Sequence, residues 1–261
     1  MIWTPAPDRP QITPDTLHVW RIDLNLEDGE LAALRATLSE DELARAARFR
    51  FEWLRRRFIA ARGALRNILA AYLGADAAAL RFTYSAYGKP SLAGASLRFN
   101  LSHSNELALV AVAAGCEVGV DVEFMRPDTA GARIAERFFS PREVEALRAL
   151  PPAEQLQGFF NCWTRKEAFI KAVGQGLSYP LDAFDVTLAP GEPAAVLAIR
   201  GDAALARRWT LQALSPGEGY AGAAAVEAKI HRVSCWEWLA REKETRSAWK
   251  TEKTPQSTKW L

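Results

Sequence analysis

Val118-Gly119-Val120-Asp121-Val122-Glu123 sets three valines against a glycine and two carboxylates, with a period of two. That is the pattern of a β-strand, in which residues two apart share a face, so Asp121 and Glu123 stand side by side. Two like charges that close repel. The pair is either a solvated strand face or a set of hard oxygen ligands that a divalent cation relieves, and one or two carboxylates of this kind suit Mg²⁺. The stretch alone leaves both readings open.

On its N-terminal side, Leu97 to Asn100 and Leu107 to Ala113 read as two strands, joined by the polar Ser102-His103-Ser104-Asn105. Tyr87-Gly88-Lys89-Pro90 reads as a turn. Further back, Ser39 and Glu42 form a capping-box signature, and Arg45 to Tyr72 carries apolar residues at helical spacing until Gly74 closes the helix. Leu17 to Leu24 alternates as a strand. The C-terminal side repeats this layout. Ser140-Pro141-Arg142-Glu143 starts a helix, a longer one runs from about Gln155 to Val173, and strands follow at 184–188, 196–199, 209–214 and 220–226. The offset is on the order of 100 residues, about one small domain. The sequence therefore predicts an α+β fold of two related halves, 1–117 and 118–227. A Trp-rich, charged extension, 228–261, follows; it holds Trp236, Trp238, Trp249 and Trp260 and reads as an added amphipathic helix, a partner-binding segment or an extension without fixed order.

Composition limits the function classes. With 261 residues, 49% hydrophobic content and a net charge of +2, the chain reads as a soluble globular protein with no compositional case for binding nucleic acid. No apolar run approaches the roughly 20 residues that span a bilayer. Met1-Ile2-Trp3-Thr4-Pro5 lacks the features of a secretory signal, and Cys116, Cys162 and Cys235 are odd in number with no C-x-x-C spacing. Neither a disulfide framework nor a zinc site is expected, and a reducing cytoplasm is the expected compartment.

Three further segments bear chemistry. In Trp163-Thr164-Arg165-Lys166-Glu167-Ala168-Phe169-Ile170-Lys171, a helix places Trp163, Glu167 and Lys171 on one face with Lys166 alongside. This is either a surface ladder of charges or a third carboxylate near a metal, flanked by ammonium groups for phosphates. In Asn100-Leu101-Ser102-His103-Ser104, an imidazole between hydroxyls at a strand end can surround a phosphate. His18 and His231 are far off in sequence, so no histidine-based metal site is expected, and no Gly-x-Ser-x-Gly elbow exists. The first long helix is dense in arginine, including Arg45 and Arg57, and guanidinium forks bind terminal phosphates well.

Taken in order, Gly88-Lys89-Pro90, Asn100 to Ser104, Val118 to Glu123 and Trp163 to Lys171 resemble the signature of the 4′-phosphopantetheinyl transferase family. The match is to its longer, surfactin-synthetase-activator type, in the branch with W-x-x-K-E-A; Phe138-Phe139-Ser140 fits as well, and the likeness spans roughly residues 38–226. The resemblance implies a pseudo-twofold pair of similar α+β halves with the active site at the interface between them. It implies transfer of phosphopantetheine from coenzyme A to a serine of an apo acyl or peptidyl carrier protein. By the same resemblance Asp121, Glu123 and Glu167 hold Mg²⁺, Glu167 is the base, directly or through a metal-bound water, and Lys171 and Lys166 stabilise the phosphates. Lys89 and Pro90 lie on the adenine, Ser102, His103 and Arg57 bind the 3′-phosphate, and Arg45 is a further basic position. One expected basic position is the acidic Glu42 here. Phe138, Phe139 and Val144 are candidates for the surface that docks the carrier. A chain holding both halves is expected to act as a monomer. The alternatives are a nucleic-acid-binding module built on the Arg-rich helix, and a relative that binds coenzyme A without turnover.

Overall fold

The computed structural model describes residues 2–127 and 131–240. The first half runs β1 (Thr4–Pro5), β2 (Thr16–Asp23), α1 (Asp28–Arg35), α2 (Glu40–Ala47), α3 (Glu52–Leu73), a short hairpin of β3 (Phe82–Tyr84) and β4 (Pro90–Leu92), then β5 (Leu97–Ser104) and β6 (Leu107–Ala114). The second runs β7 (Val118–Phe124), α4 (Ala132–Phe138), α5 (Pro141–Ala149), α6 (Pro152–Val173), the hairpin β8 (Phe184–Val186) and β9 (Val196–Ile199), α7 (Ala203–Ala206), β10 (Thr210–Leu214) and β11 (Tyr220–Val226). β12 (Arg232–Trp238) closes the described chain.

The repeat is physical. α3 and α6 each have 22 residues, and each ends on a left-handed glycine, Gly74 at φ 61° and Gly174 at φ 78°. A residue without Cβ takes that conformation at no steric cost, which is why both helices stop there. Capping boxes at Ser39/Glu42 and Ser140/Glu143 start α2 and α5. The sheet orders β2-β6-β5 and β7-β11-β10 correspond, each antiparallel throughout.

Three clusters of buried side chains stack the fold in layers. α3 packs through Leu65, Ile68 and Leu69 on Trp20, Ile22, Phe99, Val110 and Val112. α6 packs through Ala168, Phe169 and Ala172 with Ala221, Ala223 and Ala225. Between them Leu17, Val19, Leu109 and Ala111 meet Val118, Val120, Val122 and Ala224, so the two sheets lie back to back. β6 and β11 are thus covered on both faces, which accounts for their Ala/Val-rich sequences. Among the described residues no helix is long and apolar enough to cross a membrane.

The structure departs from the sequence reading in three places. The helical pattern of 45–72 is two helices, interrupted at Arg48 to Phe51. The polar segment after Asn100 does not loop: β5 continues to Ser104, and the chain turns at Asn105, φ 50°. The described part of the tail, 228–240, is neither a helix nor a detached segment: β12 runs parallel to β2 in the first sheet, and the Trp236 ring lies tilted against His18 at 4.4 Å and edge-on to Trp20 at 5.0 Å. Trp249 and Trp260 lie outside the described residues.

Candidate active site

The site forms where two edge strands meet, β5 of the first sheet and β7 of the second, under α6. Gly119 permits it. A Cβ at this position would collide with the Ala168 carbonyl oxygen and the Ala172 nitrogen, so only glycine lets β7 lie this close to α6. Two residues on from Gly119, and four, Asp121 and Glu123 therefore face the helix that carries Glu167 and Lys171.

Asp121 is 2% exposed. Its Oδ1 accepts from the Lys171 ammonium at 2.5 Å and from Ser102 Oγ at 2.8 Å, and Lys171 also donates to Ser102 Oγ at 3.0 Å. Glu123 Oε2 accepts from Ser104 Oγ at 2.8 Å. Burial pushes the Glu167 carboxyl up to about 7; the negative charges of Asp121 and Glu123 add to this, and Lys171 opposes it. Glu123 is raised too, by burial first and by Asp121 second. Three carboxylates gathered around one lysine hold more negative charge than the protein neutralises.

Whether a divalent cation suits this place turns on Asp121 Oδ2. Among the described residues it is the one buried side-chain oxygen without a hydrogen-bond partner. An orphaned carboxylate oxygen is costly, and a hard cation satisfies it with the all-oxygen ligand set that Mg²⁺ takes. No three Asp, Glu, His or Cys side chains among the described residues already stand in a metal-binding arrangement. The fit thus rests on the donor chemistry and the orphaned oxygen.

Residues 117–225 match the family model described as the 4′-phosphopantetheinyl transferase superfamily, and residues 26–115 match 4′-phosphopantetheinyl transferase, N-terminal. The 4′-phosphopantetheinyl transferase HetI of Nostoc sp. is 43% identical over 228 residues, covering 86% of this chain and 93% of that protein. The chain belongs to the 4′-phosphopantetheinyl transferase family. A 4′-phosphopantetheinyl transferase of Bacillus subtilis is 37% identical over 168 residues, 64% of this chain and 74% of its own. The holo-[acyl-carrier-protein] synthase of Thermotoga maritima superposes with a TM-score of 0.34 at 20% identity, over 42% of this chain and 61% of that one. The two family models meet between β6 and β7, at the seam of the halves.

In this transferase the remaining expected residues fall into three groups. His103 stands on the β5 face opposite Ser102, its residue surface open to solvent; crowding of the ring by neighbouring groups, which removes hydration, then the charges of Lys171, Arg57 and Arg45, hold its imidazole below the usual range. These cations sit near one another with Glu106 on Arg57 at 3.3 Å as a counter-charge. Ser102 instead belongs to the carboxylate cluster, bound to Asp121 and Lys171. Lys89 spans the seam, donating to Glu117 at 2.6 Å and to the Ala172 carbonyl at the end of α6 at 2.9 Å, while Pro90 opens β4 beside it.

Two expectations need correction. Lys166 does not join Lys171. Its side chain is fully buried on the other flank of α6, paired with Glu143 at 2.7 Å and donating to the Leu181 and Phe184 carbonyls at 2.7 and 2.6 Å. A step of one residue turns a helix by about 100°, so Lys166 and Glu167 point to different neighbours. Phe139, at 3% exposure against Phe159, is core and offers no docking surface. Phe138 packs edge-on against Trp163 at 5.8 Å, and Val144 lines a hollow of about 260 Å³ with Leu147, Leu156 and Phe159. Glu42, the acidic departure, is buried and bonded to Arg62 and Arg66.

The sequence reading gave the Ser104 hydroxyl to a phosphate rather than to Glu123, and passed over a cleft of about 340 Å³ beside Glu123, walled by Phe124, Phe159, Phe160 and Trp163. Ser104 shares its strand face with Ser102 by period two, a signal the loop assignment hid.

Proposed function

We propose that this enzyme moves the 4′-phosphopantetheine arm of coenzyme A to a serine of an apo acyl or peptidyl carrier protein, as a cytoplasmic monomer that uses Mg²⁺. The supporting observation is the meeting of Asp121 and Glu123 on β7 with Glu167 and Lys171 on α6, with Asp121 Oδ2 unsatisfied. Both sides of the site come from one chain.

Asp121, Glu123 and Glu167 are the residues that would hold Mg²⁺, which supplies charge neutralisation for the coenzyme's pyrophosphate. Glu167, on α6 and facing the β7 carboxylates, is the base that takes the serine proton, directly or through a metal-bound water. The serine oxygen bonds to the β-phosphorus as the bridging P–O bond breaks, and 3′,5′-ADP leaves with the electron pair. Lys171 neutralises charge gathering on the phosphates. His103, Arg57 and Arg45 attract the 3′-phosphate. The carrier approaches over the aromatic cleft beside Glu123, with Phe138 against its Trp163 wall and Val144 in the second hollow, which shares Phe159 with it.

The test is a mass assay. Apo-carrier incubated with enzyme, coenzyme A and Mg²⁺ gains about 340 Da, and Asp121→Ala and Glu167→Ala each abolish the gain while leaving the fold intact. No gain with the wild type rejects that carrier class as substrate, and turnover by either variant rejects the site.

A further inference from the structure

β5 and β7 border different sheets, and no backbone ladder pairs them. What joins them is a row of side chains on the β5 face turned away from α3. Asn100 Oδ1 accepts from the Val120 N–H at 2.9 Å, Ser102 reaches Asp121, and Ser104 reaches Glu123. Ser104 does two things at once. Its Oγ accepts from the Phe124 N–H at 3.1 Å and donates to Glu123 Oε2 at 2.8 Å. A hydroxyl has a single proton, and the backbone N–H occupying one lone pair leaves that proton to aim at the carboxylate.

We propose that Ser104 is a positioning residue for Glu123: it clamps the carboxylate across the seam between the halves and so sets the affinity for the divalent cation. The inference rests on the metal reading given under Proposed function. Its physical basis is general, because carboxylates that ligate metals are themselves oriented by hydrogen bonds, and losing such a partner costs about 10–100-fold in metal affinity. Asn100 pins the neighbouring backbone, so the strand keeps its place when the Ser104 hydroxyl is removed.

Mg²⁺ is titrated calorimetrically into protein saturated with coenzyme A, with no carrier present, for wild type, Ser104→Ala, Ser104→Thr and Glu123→Gln. Ser104→Ala should weaken Mg²⁺ binding about tenfold with an unchanged thermal midpoint in metal-free buffer, and Ser104→Thr, which keeps the hydroxyl, should restore it to within about twofold. Wild-type Mg²⁺ affinity in Ser104→Ala, or equal weakening in both Ser104 variants, overturns the inference. If Glu123→Gln weakens binding while Ser104→Ala does not, the inference alone falls. If Glu123→Gln binds Mg²⁺ as the wild type does, the metal reading falls and takes the inference with it.

Discussion

Lys166→Met separates a structural lysine from a catalytic one. In the wild type the Lys166 ammonium is fully buried, and Glu143 opposite is 2% exposed. Removing one partner of a buried ion pair costs about 3–5 kcal/mol because the other charge stays uncompensated. Glu143 keeps N–H donors from Ser140 and Val186, both at 2.8 Å. Burial already raises its carboxyl, with Lys166 as the main opposing influence, so in the variant it escapes part of the penalty by taking up a proton. The Leu181 and Phe184 carbonyls lose their donor, which adds about 1 kcal/mol or more. The expected loss is about 4 kcal/mol, a large part of the 5–15 kcal/mol typical of a domain. The first half shows how an arginine fills the equivalent place. Arg66, 100 residues earlier, binds buried Glu42 at 2.6 Å and donates to the Ala77 and Leu80 carbonyls. Lys166→Arg should therefore lose only about 1–2 kcal/mol, from crowding. Urea unfolding followed by circular dichroism measures both, and turnover is measured on the folded fraction, where Lys166→Arg should stay within a few-fold of wild type. Lys166→Met with unchanged stability and no turnover refutes the structural role, as does a stable Lys166→Arg that is inactive.

Gly119→Ala should cost about 3 kcal/mol or more and most of the turnover, since a methyl collides with the Ala168 carbonyl and must lift β7 from α6; thermal unfolding and the mass assay check this. His18, bonded to the Tyr72 hydroxyl at 2.8 Å, is held down to about 4, chiefly by burial and also by the nearby Arg232 charge. Below about 6.5 the unfolded chain binds a proton that the native one refuses, so this contribution to stability is full above that pH and is lost as pH falls toward 4. The difference in urea midpoint between wild type and His18→Asn should accordingly shrink from pH 7 to pH 4.5, and a constant difference rejects the assignment. Arg57→Ala should raise KM for coenzyme A about tenfold at unchanged kcat, with no effect on a coenzyme lacking the 3′-phosphate; equal effects on both place Arg57 elsewhere.

Much of the frame was legible because it is local. Capping boxes, the closing glycines and the period-two strands each depend on a few neighbouring residues, and the 100-residue offset followed from them. What escaped is what depends on partners distant in sequence. A helical wheel places Lys166 beside Glu167 but does not say that one flank of α6 meets Glu143 and the 181–184 backbone while the other meets β7. Ser102 and Ser104 are polar because they face another strand's carboxylates, a reason invisible from their own segment, so the stretch reads as a loop. β12 was hidden among charges, although Val233, Cys235 and their neighbours alternate as a strand does.

The repeat also explains why one chain presents one such site. At the places on α3 that match Glu167 and Lys171 stand Asn67 and Ala71, and the α3-facing residues of β2 are Trp20 and Ile22 where β7 offers Asp121 and Glu123. These residues cannot hold a cation. Trp20, Asn67, Ile68 and Ala71 instead line a mostly apolar hollow of about 410 Å³, with Trp238 of β12 at its wall. On the far side of β2 from β6, β12 takes the edge that β7 in the second half leaves to β5. Closing that edge with a backbone ladder stabilises the first sheet. Leaving β7 without one is what turns three β5 side chains toward it, and two of them reach its carboxylates. The candidate site thus sits at an unladdered seam, while in the first half the corresponding edge is paired and the carboxylate positions are apolar.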